Sequence, residues 1–307
     1  MKAVICTAYG SPDVLKFIEI DKPVPRKDEI LIKIFATAVN SGDVRIRGLD
    51  VTGYQKILMK LFVGFSKPRK QILGNVFSGV VESVGENVKK FSAGDEVFGM
   101  TGFKFGTYAE YISLPEKSII SKKPANATHE EAAAIIFGGQ TAHYFLHKTI
   151  KSNFDNLNNS KILIYGATGS VGSSAVQIAK FYNADITTVS SESGNDLLSR
   201  LGVEKKIFYD KEDFTKVNEK FDLIFDAVGK ISKNKCKGLL NDSGKLITVG
   251  GMDVASETIT QLEFLAGLFD SGKLDAAIDR IYPFGEIVEA HRYTDTGRKK
   301  ANVVLKM

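Results

Sequence analysis

Between Lys161 and Tyr182 the chain reads KILIYGATGSVGSSAVQIAKFY, and its small residues are spaced as a phosphate-holding turn would need them. Ile162 to Tyr165 is a short apolar run of the kind that fills a strand buried on both faces. Gly166, Ala167, Gly169 and Gly172 follow, and then Val171, Ala175, Ile178 and Ala179 recur at helical spacing. Strand, glycine turn and helix in unbroken succession are the context of an AxGxxG dinucleotide fingerprint. Small residues let the backbone approach a pyrophosphate, and the helix N-terminus supplies unpaired N–H groups and positive dipole. On this reading Gly166, Ala167, Thr168, Gly169, Ser170, Val171 and Gly172 contact the cofactor. A carboxylate for a ribose 2'-hydroxyl belongs about 20 residues on, at the next strand's end. Ser190 and Ser191 stand there instead and leave room for a phosphate, so NADPH is expected over NADH. Val228 follows a strand end on the sheet's ligand-facing edge, and Gly250 and Gly251 repeat that position one strand later.

The remaining reactive side chains are sparse. His143 and His147 lie four apart on a helical pattern, a metal-ligand spacing in principle, but no third ligand accompanies them and packing is the better reading. His129 and His291 are isolated. Cys6 and Cys236 are the only cysteines, which argues against a disulfide framework or a cysteine-built metal site. The net charge of +5 is spread along the chain and not gathered into a stripe, so no nucleic-acid partner is expected. No signal-peptide pattern precedes the first strand and no apolar run approaches membrane-spanning length, so a cytoplasmic protein without membrane contact is expected.

The elements that must position the glycine turn fall into two kinds. Lys2 to Thr7, Leu15 to Ile20, Glu29 to Ala38, Phe77 to Val84, Glu96 to Gly99 and Tyr108 to Ile112 read as short strands with frequent turns, a largely β unit. Thr128 and Glu131 form a capping box ahead of Ala132 to Ile135, so a helix starts there. A second helical pattern runs from Thr141 to Thr149, and a polar stretch through Asn153, Asn156, Asn158 and Asn159 leads to the glycine turn's strand. Beyond that turn strands and helices alternate: Ile186 to Ser190, Asp196 to Leu201, Lys206 to Tyr209, Phe221 to Ala227, Lys245 to Gly250 and Thr258 to Phe269. Alternation predicts an α/β fold with a doubly wound parallel sheet. The tail from Leu274 returns to short strands and one helix around Phe284 to Arg292.

These motifs together resemble the medium-chain dehydrogenase/reductase superfamily, and within it the zinc-free, zeta-crystallin-like quinone oxidoreductase branch. The likeness rests on VNSGDVRIRG (Val39 to Gly48), GNVFSGVV (Gly74 to Val81), GDEVFG (Gly94 to Gly99), GTYAEY (Gly106 to Tyr111), GQTAHYFL (Gly139 to Leu146), GATGSVG (Gly166 to Gly172), FDLIFDAVG (Phe221 to Gly229), GKLITVG (Gly244 to Gly250) and the tail from Tyr282 to Leu305. It implies a GroES-like catalytic domain from residues 1–123 and 274–307, a Rossmann domain over 124–273, and NADPH in the cleft between them. Zinc-dependent relatives hold ligands near Asn40 to Asp43 and Gly74 to Val76. Here those stretches read NSGD and GNV, so no zinc is expected. The resemblance places Asn40, Asp43 and Arg45 at the catalytic cleft, Thr141 near the nicotinamide, and Ser191 and Tyr209 near the 2'-phosphate. Ser193 stands in place of a lysine there, and Glu192 would repel a phosphate unless turned away.

The implied activity is hydride transfer to a quinone or an α,β-unsaturated carbonyl, with the proton donor open and solvent the default. An alkene reductase acting on an enoyl thioester or alkenal, and a non-catalytic NADPH-binding sensor or structural protein, are the alternatives. One departure stands out. After Gly251 relatives continue through a helix and a strand, whereas only Met252 to Ser256 precede the helix near Glu257. That strand often pairs subunits, so a homodimer is a weaker expectation here.

Overall fold

The structure is a computed structural model describing residues 1–50, 53–149, 157–251 and 253–307. Met252, Asn153 and Asn156, on which two sequence expectations fall, lie outside the described residues.

The chain opens with an antiparallel ribbon, β1 (Lys2–Cys6) and β2 (Leu15–Glu19). The longest strand, β3 (Glu29–Val39), buries Ile30, Ile32 and Ile34 at alternate positions, the period of a pleated strand with one face in a core. Two helices follow, α1 (Ser41–Gly48) and α2 (Tyr54–Val63), then β4 (Val76–Val84), β5 (Glu96–Met100), β6 (Tyr111–Pro115) and β7 (Ile119–Lys122). β3 pairs antiparallel with both β4 and β6. The expected strand at Tyr108 to Ile112 sits three residues later, because the backbone of Tyr108 bonds to Val4 and Leu73 and not to β3.

A single helix, α3 (His129–Thr149), replaces the two helical patterns read on either side of Gly138 and Gly139. The glycine pair does not break the helix. It thins it: a Cβ at Gly138 would strike Ser170, and one at Gly139 would strike the Leu265 side chain. Next come β8 (Lys161–Tyr165), α4 (Ser170–Phe181), β9 (Asp185–Ser190), α5 (Asn195–Arg200), β10 (Lys205–Phe208), β11 (Phe221–Asp226), α6 (Lys233–Cys236), β12 (Leu240–Thr248) and α7 (Ile259–Asp270). The five strands form a parallel sheet in the order β10-β9-β8-β11-β12. Strand order reverses between β8 and β11, which opens a crevice at their C-terminal ends, where such sheets bind ligands. Among the described residues the sheet stops at β12, in keeping with the short connection after Gly251.

The tail contributes β13 (Ile278–Pro283), α8 (Ile287–Asp295) and β14 (Asn302–Lys306). β14 lies antiparallel to β3, so the two ends of the chain share one sheet, ordered β13-β14-β3-β4-β5-β7. The fold is thus α/β, with a parallel sheet beside a β-rich unit. Both pack on α3: Ala132, Ala133, Ile136 and Leu146 share a core with Ala36, Val76 and Phe98 from one side and with Ile164, Val176 and Leu265 from the other.

A second core, with a polar centre, fixes α1. Arg47 is 2% exposed, and its guanidinium donates to both Asp295 carboxylate oxygens at 2.6 Å, to the Gly10 carbonyl and, through Nε, to His291 Nδ1 at 3.3 Å. Removing one member of such a buried pair strands the rest. Arg47→Ala is expected to lower unfolding free energy by about 3 kcal/mol, read from urea denaturation midpoints; a loss under about 1 kcal/mol, the scale of an exposed pair, would contradict this placement.

Candidate active site

α1 carries the residues expected to do chemistry, and its N-terminus dictates their geometry. The first N–H groups of a helix lack intrahelical partners, and Asn is among the best side chains to cap them. Asn40 Oδ1 accepts from Gly42 N at 2.9 Å and Asp43 N at 3.3 Å, and Asp43 Oδ2 accepts from Asn40 N at 3.2 Å, a reciprocal capping box. Asn40 Nδ2 donates to Asn75 Oδ1 at 2.7 Å. The two stretches read against zinc ligands, NSGD and GNV, therefore converge, and an amide pair stands where they meet.

Asp43 is fully buried and faces the protein interior. Its Oδ1 accepts from Gly74 N at 3.2 Å, and Tyr108 also hydrogen bonds to its carboxyl. Burial pushes Asp43 up to about 7, despite the hydrogen bonds from Asn40, Tyr108 and Gly74. Behind Tyr108 stands His291, its Nε2 3.1 Å from the phenol oxygen. Arg47 can only donate, so His291 Nδ1 accepts and Nε2 carries the proton. Burial, aided by the Arg47 charge, holds His291 down to about 3 and keeps it neutral. Arg45 lies on the exposed side of α1.

The glycine turn is built as a cradle. Gly166 has φ +74°, and a Cβ there would strike Val228. A Cβ at Gly172 would strike the Gly166 carbonyl, so both glycines are required by the turn itself. Gly169 differs: φ is −80° and a Cβ would meet only the Gly166 carbonyl, at 3.4 Å. It is the N-cap of α4 yet supplies no side-chain cap, and Ser170 Oγ is buried without a hydrogen-bond partner. Open helix N–H groups, an orphaned hydroxyl and a position where only an incoming group competes for space suit a pyrophosphate.

The other expected cofactor residues surround this cradle. Asp226 ends β11, and its carboxylate accepts from Val228 N, Gly229 N and Ile231 N between 2.8 and 3.0 Å, tying down the loop at the crevice. Gly250 packs against Gly229, and Thr248 Oγ1 accepts from Gly250 N at 2.9 Å. Ser190 ends β9 and Ser191 follows it; Ser191 and Ser193 hydroxyls pair at 2.9 Å, and Tyr209 N donates to the Ser190 carbonyl. Glu192 is drawn to Lys211 at 3.1 Å, a cation two residues past Tyr209 that the sequence reading passed over. Arg200 is bound to Asp275 at 3.1 Å. Thr141 sits half-buried on α3, and Gly251 takes φ +127° just past Gly250.

α3 joins the two halves of the site. Phe137 lies beside Gly42 at the amide pair, and Gly138, the next residue, abuts Ser170 of the cradle. Ala301 N, in the approach to β14, donates to the Thr168 carbonyl at 2.7 Å, a second tie between the units. Of the histidines on α3, His129 contacts Ser78 and Glu96, while His143 and His147 stack at 5.8 Å and burial lowers His143 to about 4; no group of three or more metal-ligating side chains occurs among the described residues. Asn75 is the site residue missed in the sequence. Its signal was the amide side chain in GNV, read there only as the absence of a ligand.

Comparison with known proteins fits this geometry. Residues 26–125 match the alcohol dehydrogenase GroES-like domain, and residues 170–269 and 252–305 match families described as zinc-binding dehydrogenase. The chain is 34% identical to 2-methylene-furan-3-one reductase of Solanum lycopersicum, over 99% of this chain and 79% of the relative. It is 30% identical to NADPH-dependent alkenal/one oxidoreductase, chloroplastic, of Arabidopsis thaliana, with the same coverage. The quinone oxidoreductase of Coxiella burnetii superposes with a TM-score of 0.85 at 27% identity, covering 100% of this chain and 99% of that one.

Two predictions follow from the site. Gly169→Val is expected to melt near the wild-type temperature while losing dinucleotide affinity in a fluorescence titration, whereas Gly172→Val is expected to lose the fold; equal melting losses would contradict the assignment. The second concerns pH. Folding raises Asp43 from 3.8 to about 7, so its stabilising contribution is full below about pH 4 and lost towards pH 7. His291, lowered from 6.5 to about 3, acts in the opposite sense over nearly the same window. Asp43→Asn removes only the first, so its unfolding free energy relative to wild type is expected to climb between about pH 4 and pH 7 in urea titrations. A flat difference would place Asp43 in water.

Proposed function

The chain belongs to the medium-chain dehydrogenase/reductase superfamily, and on that premise we propose that it is an NADPH-dependent, zinc-independent reductase of α,β-unsaturated carbonyls or quinones. When bound, a reduced nicotinamide supplies the hydride. The observation that carries the reading is the contact line from the Asn40–Asn75 amide pair through Phe137 and Gly138 to Ser170, which sets hydrogen-bond donors beside a dinucleotide cradle. The names of the relatives, an enone reductase and an alkenal/one oxidoreductase among them, support the same class.

The chain's own residues divide the work. The open N–H groups of α4 and Ser170 Oγ hold the pyrophosphate, and the Asp226-bound loop walls the crevice. As hydride adds to the β-carbon of an enone, negative charge gathers on the carbonyl oxygen. A preorganised donor at that oxygen lowers the barrier by about 3 kcal/mol. Amide N–H groups in the former ligand stretches supply that polarisation in place of a metal ion. At the far end, no carboxylate side chain ends β9, Asp210 is engaged by the Glu192 N–H and Glu192 by Lys211, and the Ser191 and Ser193 hydroxyls suit a 2'-phosphate; this supports NADPH over NADH.

The reading is tested by following nucleotide oxidation with purified, chelator-treated protein, supplying an enone or a small quinone as acceptor. Oxidation of NADPH well ahead of NADH, unaffected by the chelator, is the expected result. Tight NADPH binding with no oxidation by either acceptor would overturn it in favour of a nucleotide-binding protein without turnover.

A further inference from the structure

We propose that Asn75 is a catalytic residue of this site, its side-chain amide donating to the acceptor's carbonyl oxygen as charge develops there, while Asn40 is the positioning residue that aims it. The inference rests on the proposed reductase reading and deepens it.

The orientation of two side-chain amides is fixed by their partners. Gly42 N and Asp43 N both donate to the Asn40 side chain, and only the oxygen of an amide can accept, so Oδ1 must face the helix. Nδ2 then points away from the helix, and it donates to Asn75 at 2.7 Å. By the same logic the Asn75 atom it meets must be Oδ1. Asn75 Nδ2 is therefore turned off the pair, and among the described residues it makes no hydrogen bond. The helix cap thus sets the direction of a group two steps away, with no choice of amide flip left open.

The surroundings make that amide a site and not a surface group. Asn75 is 6% exposed, and its carbonyl is held by Thr101 N at 2.8 Å, which fixes the backbone beneath it. A Cβ built at Gly42 would come within 4.0 Å of Asn75 Nδ2 and 3.7 Å of the Phe137 ring. The bare glycine leaves the approach open between them. Phe137 is half-buried there, an apolar wall of the kind that flanks a planar conjugated acceptor. Asn75 Nδ2 is not one of the sealed polar atoms, so water reaches it and a ligand oxygen can take that water's place.

In the step this serves, hydride forms a new C–H bond at the β-carbon, the C=C electron pair shifts towards the carbonyl, and the resulting oxyanion accepts from Asn75 Nδ2. A solvent proton then closes the α-carbon, so one nucleotide is oxidised and one C=C bond reduced per turnover.

Asn75→Asp keeps the oxygen that accepts from Asn40 and removes both N–H donors; Asn75→Leu removes them without adding charge. With NADPH and an enone, both variants are expected to lose about 100-fold in kcat, with NADPH affinity within about twofold of wild type and melting temperatures confirming the fold. Independently, 4-nitrophenol titrated into the protein loaded with NADP+ reports the oxyanion site by absorbance, since its phenolate mimics the developing charge. The wild type is expected to bind the phenolate at least about tenfold more tightly than either variant. Unchanged kcat or unchanged phenolate binding in Asn75→Leu would overturn the proposal. If the wild type reduces no enone or quinone, the reductase reading fails on its own, and the phenolate comparison alone decides whether Asn75 is an oxyanion donor.

Discussion

The N-terminus of α1 must be capped, and the way Asn40 caps it sets much of what surrounds the site. Its oxygen is committed to two helix N–H groups and one N–H of its nitrogen to Asn75. The same helix sends Asp43 and Arg47 inward, one turn apart, into a chain of donors and acceptors through Tyr108 and His291 to Asp295. A helix of eight residues would not hold its place by propensity alone. Anchored at both of those side chains it becomes a rigid platform, which is what an active-site amide needs to stay aimed at a developing charge.

The second constraint is α3. One helix serves as a wall for two sheets, and this works because Gly138 and Gly139 let it lie close to α4 and α7 at the point where the two units meet. The position of the amide pair relative to the glycine turn is thereby set by packing, not by a flexible connection. Glycines in the middle of a long helix are costly for the helix, and here they make room for Ser170 and the Leu265 side chain. The tie from Ala301 to Thr168 adds a hydrogen bond across the same junction.

Much of this was legible in the sequence, and the failures have physical causes. The parallel sheet and the glycine turn announced themselves because a buried strand, a glycine cluster and an amphipathic helix are strong local signals. The sharing of one sheet by both chain ends was legible only through the resemblance, since no local pattern reports which distant strands pair. α1 gives no clear sequence signal because two of its three inward residues are Asp43 and Arg47, with only Ile46 apolar, and they break the apolar periodicity that marks a helix. α3 reads as two pieces because glycines ordinarily end helices, and only the close packing of Ser170 and Leu265 explains the glycines inside it. The contacts of Asn75, Lys211 and His291 are with side chains far from them in the chain, so spacing could not reveal them.

The central claim is that hydride reaches the β-carbon of an acceptor whose oxygen is held by amide donors, without a metal. The most direct measurement is a single turnover of an enone by the protein in the presence of a metal chelator, using NADPH deuterated at the transferring position, with the product examined by NMR. The account predicts deuterium at the β-carbon and a solvent-derived proton at the α-carbon. Deuterium on the carbonyl carbon, or turnover abolished by the chelator, would contradict it and point to metal-assisted carbonyl reduction instead.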